Sequence, residues 1–260
     1  MSNPFGTADM AAGYARNRPA VHPLVIKLAE AYWQRSRPIA FALDVGCGSG
    51  LSTRALRESA DRVIGIDPAE AMVKLAATVV AGAHFAVAAA EDLPVSDASI
   101  DLLTAAGSLN YVELGRFFAE AQRVLAPEGM LLVYDFGPGR HFVDGPELDE
   151  WFSRFVGRYP WPPEEALAVN PALLAEIATG FSLEAEQFEV AIPLSPVFYC
   201  DYMMTETNVA CAVRAGIPFQ EIRAWCLETL LPMWGHGTRD VLFRGYFACM
   251  RPLASKHNRP

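Results

Sequence analysis

From residue 39 onward, short apolar runs rich in β-branched residues alternate with stretches of helical period. Residues 39–45, 62–66, 84–88, 100–105 and 130–135 predict strands, and residues 51–59, 69–80 and 113–126 predict the helices between them. Strands that follow one another through helices must lie parallel, because a parallel pair needs a crossover of about a dozen residues or more. Upstream, residues 20–35 read as an amphipathic helix introduced by Arg18-Pro19 and His22-Pro23, since proline fits a first helical turn. Downstream, Gly137-Pro138-Gly139 and Gly145-Pro146 break the rhythm, and a segment rich in Trp, Phe, Tyr and Pro runs to about Pro196. Residues 183–192 and 241–250 predict closing strands, with helices near 199–214 and 218–230. The expectation is a single α/β domain: a doubly wound, mostly parallel, seven-stranded sheet with helices on both faces. In it, residues 1–37 form a helical arm, 38–136 a ligand-binding core, 137–240 an inserted helical and aromatic cap with the remaining sheet elements, and 241–252 the final strand.

The composition supports one core. Of 260 residues, 52% are hydrophobic and 20% charged, enough apolar surface to offset the entropy of ordering the chain. A formal charge of -9 repels phosphate backbones and anionic lipid heads, so neither nucleic acid nor a membrane surface is expected as a partner. Residues 71–90 are almost long and apolar enough to span a bilayer, but Lys74, Gly82 and His84 interrupt them, and a helix followed by a buried strand is the better reading. The N-terminus has neither the basic start nor the apolar run of a secretion signal. The five cysteines (47, 200, 211, 226 and 249) are scattered without a C-x-x-C pair, and His22, His84, His236 and His257 have no partners at metal spacing. A cytoplasmic protein without a metal is expected.

Chemistry enters at Asp44-Val45-Gly46-Cys47-Gly48-Ser49-Gly50, where a strand passes into a helix through a turn whose missing side chains let a ligand approach the backbone. A nicotinamide cofactor is the natural competitor, but Leu51 stands where the dinucleotide fingerprint needs its third glycine, and an acid precedes the first glycine by two residues. Asp67 follows the second strand, where a carboxylate can accept ribose hydroxyls from a nucleoside lying across the sheet edge; Asp67-Pro68 also reads as a helix N-cap with proline in the first position. Glu91-Asp92-Leu93-Pro94 forms an acidic loop after the third strand.

These segments resemble, in order, the motifs of class I S-adenosylmethionine-dependent methyltransferases: D-x-G-x-G-x-G at Asp44–Gly50, the acid after the second strand at Asp67, and A-E-D-L-P at Ala90–Pro94. Asp101-Leu102-Leu103-Thr104 resembles the family's fourth strand. Residues 124–130 resemble its L-x-P-G-G turn, with Glu128 in place of one glycine. The small-molecule branch that includes trans-aconitate-type enzymes is the most similar, and Tyr14-Ala15-Arg16-Asn17-Arg18-Pro19 resembles its Y-x-x-x-R-P element. The resemblance implies S-adenosylmethionine as cofactor, held by Tyr14, Arg18, Asp44, Gly46, Cys47, Gly48, Gly50, Asp67, Pro68, Met72, Ala90, Glu91, Asp92, Leu93, Ala106 and Gly107. It implies Tyr14 and Arg18 at the methionine end, where a guanidinium fits a carboxylate.

Where relatives carry a His-Trp pair after the fourth strand, this chain has Leu109-Asn110-Tyr111, so no catalytic histidine carries over. A hydroxyl or amine acceptor would want a base, and Tyr111, Glu113, His141, Tyr202 and Glu206 are the candidates. The aromatics Trp151, Phe152, Phe155, Tyr159, Trp161, Phe198, Tyr199 and Tyr202 could build a lid, although packing is the commoner use of such residues. The expected activity is methyl transfer to a small organic acceptor by a monomer or homodimer; the alternative is a non-catalytic protein that binds S-adenosylmethionine or S-adenosylhomocysteine.

Overall fold

A computed structural model of the chain describes residues 17–33, 38–162, 166–235 and 237–253. Two compact units are woven from alternating segments. The larger comprises His22–Asp135, Ala166–Phe188 and Gly245–Pro260; the smaller comprises Met1–Val21, Phe136–Glu165 and Glu189–Arg244.

In the larger unit the strands are β1 (Ile39–Val45), β2 (Ala60–Asp67), β3 (His84–Val87), β4 (Ile100–Ala106) and β5 (Leu125–Phe136). The helices between them are α2 (Leu51–Leu56), α3 (Glu70–Val79) and α4 (Leu114–Val124), with α1 (Val21–Ala29) upstream. Two long strands follow, β7 (Phe181–Leu194) and β8 (Arg239–Pro252), and the sheet order runs β3-β2-β1-β4-β5-β8 with β7 beside β8. All pairings among β1 to β5 are parallel, with Leu43 opposite both Ile64 and Leu103, and Leu103 opposite Leu131. Buried Leu43, Val45, Leu103, Ala105, Leu131 and Val133 make the near-continuous apolar strands that a covered parallel sheet requires.

Helix α4 shows how the sequence sets an element. Leu114, Phe117, Phe118, Ala121 and Val124 recur on one face and are all buried. Glu113 caps its start by accepting the N–H groups of Gly115 and Arg116. The helix then passes directly into β5. The strand begins five residues before the expected position because the ladder jumps from Ile100↔Leu125 to Leu102↔Met130, letting the Pro127-Glu128-Gly129 turn bulge out of the pairing. Helix α1 is tied to the sheet by a 2.9 Å hydrogen bond between His22 Nδ1 and the buried Tyr134 hydroxyl. It ends at Ala29, followed by a 3₁₀ turn at Glu30–Tyr32. The apolar stretch at 71–90 divides between α3 and β3, and among the described residues no helix is long and apolar enough to cross a membrane.

The smaller unit contains α5 (Glu147–Arg158), α7 (Pro196–Met203), α8 (Thr207–Arg214), α9 (Phe219–Trp234) and the two-residue β6 (His141–Phe142), which pairs antiparallel with β8. Strand β6 brings the sheet to eight strands rather than seven. The helix expected at 199–214 is two helices, the first started by Ser195, whose hydroxyl accepts the Phe198 N–H. Helix α5, whose buried Leu148, Trp151, Phe152 and Phe155 recur at helical spacing, and α6 (Pro171–Ile177) in the larger unit, started by the cap-and-proline pair Asn170-Pro171, are not among the expected helices.

The aromatics build this unit's core. Trp151, Phe155, Tyr159, Tyr199 and Tyr202 are all but fully buried, Phe152 nearly so, and Trp161 and Phe198 are half-buried. Trp151 stacks on Phe155 at 5.2 Å and donates its indole N–H to Thr229 Oγ1 at 2.8 Å; the Tyr199 hydroxyl donates to the Gly139 carbonyl at 2.6 Å. A buried ring whose polar tip is satisfied is a packing element.

Candidate functional site

In the larger unit the chain leaves β1 toward β2 and β3 on one side, then returns to build β4 and β5 on the other. That reversal places a crevice beyond the carboxyl ends of β1 and β4, where open α/β sheets bind their ligands. Four segments meet this edge: the glycine turn after β1, Asp67 at the end of β2, residues 88–93 after β3, and residues 106–111 after β4.

Asp44 is wholly buried, and both its oxygens are taken. Oδ2 accepts the hydroxyls of Ser52 and Thr53, each at 2.6 Å, and Oδ1 accepts that of Thr104 at 2.8 Å. The carboxylate braces β1 against α2 and β4. Burial pushes its pKa up, and the three hydroxyls oppose that shift.

The turn that follows is built of left-handed glycines. Gly46 (φ 67°) lies against Ser108, so that a Cβ there would fall 2.3 Å from the Ser108 Cβ, and Ser108 Oγ donates to the Val45 carbonyl at 2.8 Å. Gly48 (φ 52°) differs, because a Cβ there would meet nothing within 4 Å. Its N–H donates to Asp67 Oδ2 at 2.9 Å, and Asp67 Oδ1 accepts the Ala69 N–H at 2.8 Å. Asp67 is therefore not the N-cap of α3, which is Ala69, and Pro68 lies one residue before that cap. Burial raises the Asp67 pKa, against the two N–H bonds. Beside this turn, Ser49 Oγ is buried with no hydrogen-bond partner among the described residues. Open space over a glycine, a carboxylate aligned by two backbone donors and an orphaned hydroxyl fit a polar guest. Cys47 and Met72 are buried beside the turn and at the start of α3.

The loop after β3 is clamped from α4. Glu120 Oε2 accepts the Leu93 N–H at 2.8 Å, while Arg123 donates to the carbonyls of Leu93 and Val95, each at 2.9 Å, and to Asp97 and Glu120. Leu93 and Ala90 are buried, and Asp92 is exposed. The Glu91 carboxylate accepts the Glu113 N–H at 2.8 Å, which ties this loop to the next. Neither Glu120 nor Arg123 stands out in the sequence, because the loop groups they hold at Leu93, Val95 and Asp97 are 26 or more residues away.

After β4, the exposed Gly107 (φ 61°) approaches Asp135 at the end of β5: a Cβ on it would lie 3.0 Å from Asp135 Oδ1. Asn110 Nδ2 stands 3.4 Å from Asp135 Oδ2, the Asn110 carbonyl accepts the Leu167 N–H at 3.0 Å, and Tyr111 is 76% exposed. The base candidates are divided between the two units. Tyr111 and the helix cap Glu113 belong to the larger unit; His141, 3.8 Å from Asp149, lies in β6 of the smaller. Tyr202 and Glu206 are also in the smaller unit and buried, with Arg18 Nη1 3.1 Å from Glu206 Oε1 and its guanidinium 5.1 Å from the Tyr202 ring centroid. Tyr14 lies outside the described residues.

Residues 43–133 match the family model described as a methyltransferase domain. The chain has the class I methyltransferase fold. A methyltransferase structure from Anaeromyxobacter dehalogenans, provisionally assigned as type II, is 27% identical, covers 87% of this chain and 95% of its own, and superimposes with a TM-score of 0.63. Demethylmenaquinone methyltransferase of Deinococcus radiodurans is 32% identical over 160 residues, 54% of this chain and 66% of that protein. An uncharacterised methyltransferase of Mycobacterium bovis is 30% identical over 131 residues, 50% of this chain and 51% of that protein. The chain spans about half the length of the first of the curated relatives it matches. A Haemonchus contortus phosphoethanolamine N-methyltransferase in complex with S-adenosyl-L-methionine shares the fold, at 18% identity and a TM-score of 0.55, covering 95% of this chain and 58% of its own.

Two predictions arise from this geometry. Gly48→Ala places a methyl group in the open space, so the S-adenosylhomocysteine Kd measured by calorimetry should rise at least several-fold; folding should lose only the left-handed penalty of roughly 1–2 kcal/mol. The loop clamp titrates. The Glu120 carboxyl is held below its usual range, first by its hydrogen bond to Arg123. A carboxylate whose folded pKa is depressed stabilises above its unfolded value and loses that contribution as pH falls through the folded one. Urea unfolding at stepped pH should therefore show an acid-side loss of stability that Glu120→Gln flattens.

Proposed function

We propose that this protein transfers a methyl group from S-adenosylmethionine to a small organic acceptor. The observation that carries the reading is the pairing of Gly48 with Asp67 across the switch point, beside space that no side chain fills. In this reading Asp67 keeps lone pairs for the ribose hydroxyls, the two backbone donors fixing its direction. Gly46, Gly48 and Gly50 let the ligand lie on the backbone, Pro68 and Met72 flank the nucleoside, Ala90–Leu93 line the adenine, and Ala106-Gly107 pass along the methionine side. Asp44 acts as a positioning residue, holding the turn from below.

When bound, the cofactor supplies a methyl group made electrophilic by its sulfonium. The protein's task is then alignment and exclusion of water, which can lower a barrier by roughly 7–11 kcal/mol in favourable cases. The acidic charge of -9 favours a small molecule over nucleic acid. A small acceptor also agrees with the Deinococcus relative, whose name refers to demethylmenaquinone. Within the small-molecule branch, the Y-x-x-x-R-P resemblance favours a relative of trans-aconitate-type enzymes; Arg18 of that element pairs with Glu206 here.

The test is thermal unfolding with S-adenosylhomocysteine. At a ligand concentration one hundred times Kd, the folded state gains about 2.7 kcal/mol, which should raise Tm by about 5–10 °C. A Tm unmoved at millimolar ligand would sink the proposal.

A further inference from the structure

The smaller unit buries two thiols side by side. Cys200 lies on α7 and Cys226 on α9, and both are wholly buried free cysteines. Cys200 Sγ stands 3.7 Å from the Arg223 carbonyl oxygen, which it faces as donor. That carbonyl lies three residues before Cys226, and a helical side chain leans back over the turn that precedes it. Thr229 shows the same geometry one turn further on, where its Oγ1 lies 3.2 Å from the Cys226 carbonyl. A sulfur at the Arg223 carbonyl is therefore beside the Cys226 thiol, and a hydrogen bond between the two thiols holds the Cys226 pKa well above its ordinary value. Next to them, Arg223 Nε donates to Asp201 Oδ1 at 2.8 Å, which fixes α7 against α9 in this register. The remaining cysteines stand apart from the pair: Cys47 and Cys249 belong to the larger unit, and Cys211 lies 3.0 Å from Arg214 Nη2 on α8.

We infer that Cys200 and Cys226 form an oxidation site for a small peroxide, and that their disulfide reversibly staples α7 to α9. Burial by itself would leave either thiol inert. Adjacency changes this, because a sulfenic acid formed during a local opening of the helices meets a second thiol at once. One sulfur attacks the O–O bond of hydrogen peroxide and becomes the sulfenic acid, and the other oxygen leaves as water. The second sulfur then displaces the hydroxyl, which departs with the thiol proton as a second water while the S–S bond forms. Two thiols are oxidised and one hydrogen peroxide is reduced to two waters. Burial also selects the oxidant, since a bulky disulfide such as oxidised glutathione does not fit between packed helices. The inference is independent of the methyltransferase reading.

The test exposes the whole protein to millimolar hydrogen peroxide, blocks the remaining thiols with iodoacetamide in denaturant, and maps peptides without reductant. We expect the intact chain to lose two hydrogens and the map to show a joined peptide pair carrying Cys200 and Cys226, which dithiothreitol separates. The oxidised protein should melt about 5–10 °C higher, as for a typical disulfide, and return to its starting Tm on reduction. Cys226→Ala should show neither effect, and Cys211→Ala should show both. Recovery of Cys200 and Cys226 as alkylated thiols, with oxygen added at Cys211 instead, would overturn the inference. So would a disulfide from either residue to another cysteine, or a Cys200–Cys226 bond that leaves Tm unmoved or lowers it. The wild-type peptide map decides the pairing whether or not a variant folds.

Discussion

Asp44→Ala should cost this protein about 3–5 kcal/mol of stability, the largest effect expected of a single substitution in the site. The carboxylate is inaccessible to solvent and accepts three hydroxyls from two further elements, Ser52 and Thr53 of α2 and Thr104 of β4. Its removal leaves three buried donors without their acceptor, each worth about 1–3 kcal/mol, with partial relief as the hydroxyls rotate. The urea midpoint should fall sharply with little change in the slope of the transition. Thr104→Val, which removes one donor and keeps the shape, should cost only about 1 kcal/mol. If Asp44→Ala left the midpoint in place, the bracing role would be wrong.

Asp67→Ala should act on the ligand more than on the fold. Loss of charge-assisted hydrogen bonds to the ribose should weaken S-adenosylhomocysteine binding by about 1.5–3 kcal/mol, roughly ten- to 150-fold in Kd. The accompanying loss of an acceptor for the Gly48 and Ala69 N–H groups loosens the same turn. The pH dependence gives an independent check. Burial raises the Asp67 carboxyl above its ordinary value, and only the ionised form serves as a pure acceptor. Affinity should fall as pH drops toward that raised value, and Asp67→Asn should bind more weakly without this acid limb. Equal affinity of a folded Asp67→Ala and the wild type would remove Asp67 from the site.

Much of the core was legible because each local signal agreed with the global arrangement. The spans for β1 and β4 needed almost no adjustment, since their apolar runs are bounded by polar or glycine positions. β5 was foreshortened because Pro127 and Gly129 read as a break, whereas the ladder tolerates them as a bulge. α5 was missed although Leu148, Trp151, Phe152 and Phe155 recur at helical spacing, because they stand in an aromatic-rich run after the Gly145-Pro146 break; their rings are also buried by neighbours distant in sequence, Tyr199 and Trp225 against Trp151.

Within the site, Asp44 and Asp67 were both identifiable by position, but only tertiary structure shows Asp44 wholly buried on three hydroxyls and Asp67 on two backbone N–H groups. Thr104 is opposite Asp44 in the β1–β4 register, a relation sixty residues long that no local pattern encodes. The same holds for Ser108 against Gly46, for Asp135 against Gly107, and for the Glu120–Arg123 clamp on the loop after β3.

The central claim is that the glycine turn and Asp67 hold S-adenosylmethionine. Isothermal titration of the purified protein with S-adenosylmethionine and with S-adenosylhomocysteine tests it most directly. Saturable one-to-one binding of both ligands at micromolar Kd or tighter, weakened by Asp67→Ala, is the result predicted; no heat with either ligand at millimolar concentration would contradict it.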